Sequence, residues 1–404
     1  MKTYHISLLL LFILLFNNCK QPQLVESKKT STNIALKTGA ERLEKYLPVI
    51  KDKDIALVVN QTSRVGEVHL ADTLISLGIS VKKIFSPEHG FRGTADAGEK
   101  VVDGVDEQTG VPIISLYGKN RKPGKDQLAD IDWVLFDIQD VGVRFYTYIS
   151  TMHYVMDACA ENNVAFMVLD RPNPNGHYVD GPVLDTAFRS FVGMHPVPVV
   201  HGMTLGEYAT MVNEEGWLSG GVSCRLKVIP CEGYTHETVY EVPVKPSPNL
   251  PNNRAIYLYP SLCFFEGTVV SVGRGTNTQF QVYGHPDFSE GSYTFTPVSM
   301  DGAKYPKHED LSCNGYNLSE IPDSIFQQKR ALNLTYLLSF YQSFPDKQNF
   351  FLANLFFDKL AGGAVLREQI IAGLPEAAIR ESWQPDLTHF KEMRKKYLIY
   401  QPLK

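Results

Sequence analysis

Glu88, His89 and Arg92 place a carboxyl group, an imidazole and a guanidinium within five residues of one another. Such a set can give up a proton, take one, and hold an anion. The surrounding stretch, Ser86-Pro87-Glu88-His89-Gly90-Phe91-Arg92-Gly93, carries two glycines and a proline. Its backbone can turn sharply and come close to a ligand. A Glu-His pair taken alone is an ordinary charged surface turn. What argues for more is the strand-like run just before it, residues 81–85, and the groups that recur at matching places downstream.

Elements are needed to aim these side chains. Residues 55–59 read as a buried strand that stops at Asn60-Gln61-Thr62-Ser63. Residues 81–85, 112–117, 133–136, 165–169 and 226–229 read as further strands. Helical spacing marks 39–47, 70–77 and 148–161, the last with Met152, Val155, Met156 and Cys159 on one face. Strands alternating with helices predict a mostly parallel sheet covered on both faces. Ligands of such sheets bind outside the carboxyl ends of the strands. Asn60 and Gln61, then Glu88, His89 and Arg92, then Tyr117, then Asp137 to Arg144, then Asp170 and Arg171 all fall there. Gln139 and Asp140 lie in the fourth group, with Tyr146 just beyond it.

Other chemistries find little support. No GxGxxG follows the first strand and no Walker loop is present, which argues against a dinucleotide or nucleoside triphosphate cofactor. No His spacing matches a catalytic zinc site, and His195 and His201 lack a third ligand. The net charge of −5 argues against nucleic-acid binding. Gly202-Met203-Thr204-Leu205-Gly206 imitates a nucleophile elbow. Thr204 with Glu207 is equally a capping box opening an apolar helix, and needs no other partner, so the cap is preferred over an esterase.

Residues 1–19 read as a leader: Lys2 is basic, residues 8–16 are continuously apolar, and Cys19 follows. Export is expected, to the periplasm or the outer membrane, with Cys19 as the lipidation site and hence a membrane anchor. Residues 20–34 read as a polar, flexible tether. Residues 35–258 are expected to be the sheet domain and 259–404 a smaller α+β domain. The four prolines of 243–251 mark the crossing, helices are expected at 332–344 and 366–372, and a basic helix or helix–strand mix at 391–400. Cys224 and Cys231 could pair, or all five later cysteines could be apolar fillers.

Several long motifs occur in order: Val59-Asn60-Gln61-Thr62, SPEHGFRG, FDIQDVGVRFYTY from Phe136, LDRPNP from Leu169, HGMTLGE from His201, PSPNLP from Pro246, and FEGT with GRGT from Phe265. Together they resemble the DUF1343 family, the NamZ-type exo-β-N-acetylmuramidases. The resemblance runs from about Gly39 to the C-terminus. It implies a Rossmann-like N-terminal domain, a smaller C-terminal domain, and a cleft between them. It also implies release of N-acetylmuramic acid from non-reducing ends of peptidoglycan fragments, so that disaccharides or muropeptides are the expected partners. The family's catalytic glutamate corresponds to Glu88.

Glycosidic cleavage needs an acid at the leaving oxygen and something to stabilise the oxocarbenium-like transition state. Glu88 is the acid candidate, with His89 orienting it or binding sugar hydroxyls. Asp137, Asp140, Asp170 or Glu266 would supply a second carboxylate, Asp140 being preferred; the alternative is assistance by the substrate's own 2-acetamido group. Arg92, Arg144, Arg171 and Arg274 are candidates for the lactyl carboxylate. Asn60, Gln61, Gln139, Tyr146, Asp170, His201 and Glu266 complete the expected binding set. A non-catalytic muropeptide-binding lipoprotein would need the same arginines.

Overall fold

Short runs rich in β-branched, aliphatic and aromatic residues become the strands of one sheet. They are β1 (Asp54–Val59), β2 (Ser80–Ser86), β3 (Gly104–Val105), β4 (Pro112–Ser115), β5 (Trp133–Asp137), β6 (Ala165–Leu169) and β7 (Leu226–Ile229). Their order is β7-β6-β5-β1-β2-β4-β3, parallel throughout except for the edge pair β3–β4. This computed structural model describes residues 35–88, 90–91, 103–118 and 120–401. Cys19, His89 and Arg92 lie outside the described residues.

Alternation along the strands fixes the layers. Ala56, Val58, Val134, Phe136, Phe166 and Val168 enter one apolar cluster, while Ile55, Leu57, Val59, Leu135, Met167 and Leu169 enter another. Successive side chains leave opposite faces, so both faces are apolar and both must be covered. Helices α1 (Leu43–Ile50) and α2 (Leu70–Ser76) cover the second cluster with Tyr46, Ile50, Leu70 and Leu74. Helices α3 (Tyr148–Glu161), α4 (Leu205–Glu214) and α5 (Asn253–Leu262) cover the first with Met152, Val155, Met211 and Leu258. The fold is α/β.

The first helix starts later than expected because Gly39 is pressed against the sheet. Its N–H donates to the Asp170 carbonyl at 2.7 Å, and a Cβ there would lie 2.3 Å from the Ile229 oxygen. The strand order reverses at β1, from which one wing runs outward through β2 and β4 and the other through β5 and β6. Loops after β1, β2 and β5 therefore leave the same edge at the switch point, where ligands bind in such sheets.

The C-terminal part carries a small antiparallel sheet, β8 (Val282–His285), β9 (Tyr293–Phe295) and β10 (Cys313–Asn317), in the order β8-β10-β9. Helices follow at Thr335–Ser343, Val365–Ile371 and Gln384–Arg394, with a short 3-10 turn at Lys395–Tyr397. Phe264, Phe340 and Phe357 share the apolar cluster of Phe136 and Phe166, so the core is continuous. Helix α5 runs through the boundary expected at 258/259. The five described cysteines are buried and free. No helix among the described residues is long and apolar enough to cross a membrane.

At α4 the capping box is present: the Thr204 hydroxyl accepts from the Glu207 N–H at 3.3 Å, and Glu207 Oε2 accepts from the Thr204 N–H at 2.9 Å. The same hydroxyl donates to Asp170 Oδ2 at 2.7 Å. Gly206 lets helix and sheet meet, since a Cβ would stand 2.6 Å from Val228 Cγ1 and 2.8 Å from Asp170 Cγ. Thr204 is thus a buried structural hydroxyl. Thr204→Ala removes a cap and a hydrogen bond to a carboxylate, and should lower unfolding free energy by about 2–4 kcal/mol in denaturant titration. A loss under about 0.5 kcal/mol, the range of neutral surface changes, would contradict this role.

Candidate active site

Glu88 is the second residue beyond β2 and lines a cavity of about 330 Å³ at the carboxyl edge of the sheet. It is half-buried, and Oε2 accepts a hydrogen bond from Thr147 Oγ1 at 2.9 Å. Tyr117, Phe145, Tyr146, Tyr148, Phe191 and Tyr259 supply most of the cavity's aromatic surface. Arg121, Ser247, Asn249, Glu266 and Arg274 supply its polar groups.

The loops after β1 and β5 are bolted together beneath this cavity. Asn60 Oδ1 accepts from the Thr62 N–H and hydroxyl at 2.9 and 2.6 Å, and Thr62 Oγ1 accepts from the Gln139 N–H at 2.9 Å. The Ser63 hydroxyl donates to the Asp137 carbonyl. Asn60 Nδ2 donates at 2.9 Å to the Tyr148 hydroxyl, which donates in turn to the Pro246 carbonyl at 3.2 Å. Tyr146 donates to the same carbonyl at 2.9 Å, and the two tyrosine rings meet edge-on at 5.0 Å. Burial, reinforced by the nearby Glu88 charge, pushes the Tyr148 hydroxyl far above its ordinary pKa, so it remains a donor.

Of the residues singled out in the sequence, Glu88, Tyr117, Tyr146, Glu266 and Arg274 meet at the cavity wall. Arg274 grips Glu266 at two points, 2.6 and 2.9 Å. Burial drives the Glu266 carboxyl up, but Arg274, joined by Lys307, outweighs it and holds the pKa below the usual range. The other described candidates stand outside the wall. Arg171 is locked to Asp137 at 2.5 and 2.9 Å. Arg144 is fully buried and spends its guanidinium on the carbonyls of Pro182, Val197 and Leu360 at 2.7–2.8 Å. Asp170 accepts from Tyr400 at 2.6 Å and from Thr204, which ties the C-terminus to the sheet. His201 is buried and held neutral, its pKa lowered to about 3 by burial and by Arg394 and Arg144. Gln61 and Gln139 donate to backbone carbonyls, at 3.0 Å to Lys245 and at 2.8 Å to Pro172. Asp140 is buried, with Oδ2 bound to the Gly142 N–H at 2.6 Å. Among the described residues no cluster of three His, Cys, Asp or Glu side chains could hold a metal ion.

Family models described as exo-β-N-acetylmuramidase NamZ, N-terminal and C-terminal, match residues 55–254 and 257–400. The chain belongs to the NamZ exo-β-N-acetylmuramidase family. It is 36% identical over 393 residues to the peptidoglycan β-N-acetylmuramidase NamZ of Bacillus subtilis (strain 168), covering 92% of this chain and 93% of that protein. Two crystal structures of DUF1343 family proteins from Bacteroides fragilis NCTC 9343 superpose with TM-scores of 0.84 and 0.79, at 48% and 28% identity. Each alignment covers 91% of this chain and 99% of the other. As a member of the NamZ family, the chain is a glycosidase.

In this NamZ-family site four polar wall residues carry no distinguishing sequence signal. Thr147 sat unremarked inside the FYTY motif, and Ser247 and Asn249 inside the Pro-rich crossing. Arg121 belongs to Lys119-Asn120-Arg121-Lys122, which reads as a solvated charge run. Its guanidinium instead lies 4.1 Å over the Phe191 ring.

Burial raises the Asp140 carboxyl to about 7, against opposing hydrogen bonds from the Gly142 and Val141 backbone. A carboxyl whose folded pKa is raised is tolerated below its unfolded pKa, and penalises folding as pH climbs from about 4 to about 7. Asp140→Asn lifts that penalty. Its stability relative to the parent should rise across this window by about 1.4 kcal/mol per pH unit at most, then level off. Melts at pH 4 and pH 8 read it; an equal offset at both would show that Asp140 does not titrate there.

Proposed function

We propose that this protein is an exported exo-β-N-acetylmuramidase that releases N-acetylmuramic acid from the non-reducing ends of peptidoglycan fragments, with Glu88 as general acid. The observation that carries this reading is the position of Glu88: a carboxyl group on the wall of an aromatic-lined cavity, oriented by the Thr147 hydroxyl. The Bacillus subtilis relative, a peptidoglycan β-N-acetylmuramidase, supports the choice of sugar.

In this mechanism Glu88 passes its proton to the glycosidic oxygen as the bond to the anomeric carbon breaks. The hydrogen bond from Thr147 fixes the carboxyl plane, so less orientational freedom is lost in the transition state. Tyr117, Tyr146 and Phe191 offer ring surface to the sugar's C–H faces and exclude water. The positive charge at the anomeric carbon is met by the substrate's acetamido oxygen, which bonds to that carbon as the leaving group departs. Water then opens the cyclic intermediate, giving its proton to Glu88. Two facts favour this route over a carboxylate nucleophile: Glu266 is held by Arg274, and Asp140 is not on the cavity wall.

Glu88→Gln keeps the shape and removes the proton, and should lower kcat/KM on an unactivated muramyl disaccharide on the order of 10²–10⁴-fold. Near-parental turnover would remove Glu88 from the role. Asp140→Asn should retain turnover, and a collapse comparable to that of Glu88→Gln would restore Asp140 as the second catalytic group. The apolar leader ending at Cys19 supports export and a lipid anchor. Labelled palmitate should enter the parent but not Cys19→Ser in the native host, and equal labelling of both would refute lipidation at this cysteine.

A further inference from the structure

We propose that Arg121 reads the lactyl carboxylate that distinguishes N-acetylmuramic acid from N-acetylglucosamine. The inference rests on the glycosidase reading above and adds a specificity residue to it. Arg121 lines the same cavity as Glu88. Among the described residues it makes no ion pair, and its Nε is buried without a hydrogen-bond acceptor. An unmet donor on a cation is costly to bury, and a ligand anion would remove the cost.

The neighbouring described cations are already engaged. Arg274 holds Glu266 at 2.6 Å, Arg171 holds Asp137 at 2.5 Å, and Arg144 faces three backbone carbonyls. Lys122, the next residue, pairs with Glu161 at 2.7 Å and Asp157 at 3.7 Å. Among the described residues, the free positive charge of this wall is therefore concentrated on Arg121.

Its orientation is also set. The guanidinium lies 4.1 Å over the Phe191 ring, and Phe191 stacks in turn on Tyr154 at 6.3 Å and 17°. Stacking fixes the plane of the guanidinium and keeps its N–H edge available to a ligand. A planar fork of donors matches the two oxygens of a carboxylate. N-acetylmuramic acid carries one carboxylate, on its 3-O-lactyl arm, and N-acetylglucosamine carries none.

Calorimetric titration of the intact protein with free N-acetylmuramic acid and with its lactyl methyl ester tests this without turnover. The parent should prefer the acid on the order of 10–100-fold, the range of a hydrogen bond to a charged partner. Arg121→Met should bring the ratio near one. Arg121→Lys, which keeps a charge without the fork, should fall between. A parental preference retained in both variants, or no preference in the parent itself, would overturn the proposal. The parent's titration holds even where a variant fails to fold. Because the readout is binding, it separates from the role of Glu88: an active Glu88→Gln variant with an intact acid-to-ester ratio would sink the mechanism and leave Arg121 standing.

Discussion

One backbone carbonyl, that of Pro246, gathers the walls of the site. Tyr146 and Tyr148 donate to it at 2.9 and 3.2 Å, and Gln61 Nε2 approaches at 3.3 Å. The loop after β1, the loop after β5 and the Pro-rich crossing are thereby fixed to a single atom. Proline leaves its carbonyl free to accept while restricting the backbone that carries it. Thr147 lies between the two anchored tyrosines, so its hydroxyl has little freedom. The carboxyl of Glu88 inherits that order through a 2.9 Å hydrogen bond.

The charges around the cavity divide into spent and unspent. Glu266 with Arg274 is a two-point pair that cancels locally. Asp137 with Arg171 does the same deeper in the sheet. What is left unspent among the described residues is a guanidinium set by an aromatic ring, while the Glu88 carboxyl accepts from a neutral hydroxyl. Aromatic walls lower the local dielectric and strengthen whatever these two groups do to a bound sugar. In the proposed reading, proton donation and anion recognition thus come from different loops, after β2 and after β4 respectively, and the parallel sheet brings those loops to one edge.

Much of this architecture was legible in the sequence. Apolar runs such as 55–59 and 165–169 are buried on both faces and announce a parallel sheet without ambiguity of type. The capping box at Thr204 announced α4 for the same local reason. The edge strand β3, two residues long, carries no pattern to read. Among site residues, Glu88 was visible because glycine and proline framed it. Arg144 and Arg171 looked equally functional, but whether an arginine faces a ligand or a carbonyl is decided by residues far away in sequence, here Leu360 and Asp137. Arg121 was hidden for the converse reason: a cation between lysines reads as solvated until a distant phenylalanine is seen beneath it.

The most direct measurement is a crystal structure of the Glu88→Gln protein with N-acetylmuramyl-N-acetylglucosamine bound. The side-chain amide at position 88 should lie about 3 Å from the glycosidic oxygen, with the acetamido group curled under the anomeric carbon. A disaccharide seated with that oxygen beyond the reach of residue 88, even through one water, would contradict the assignment of Glu88 as the acid.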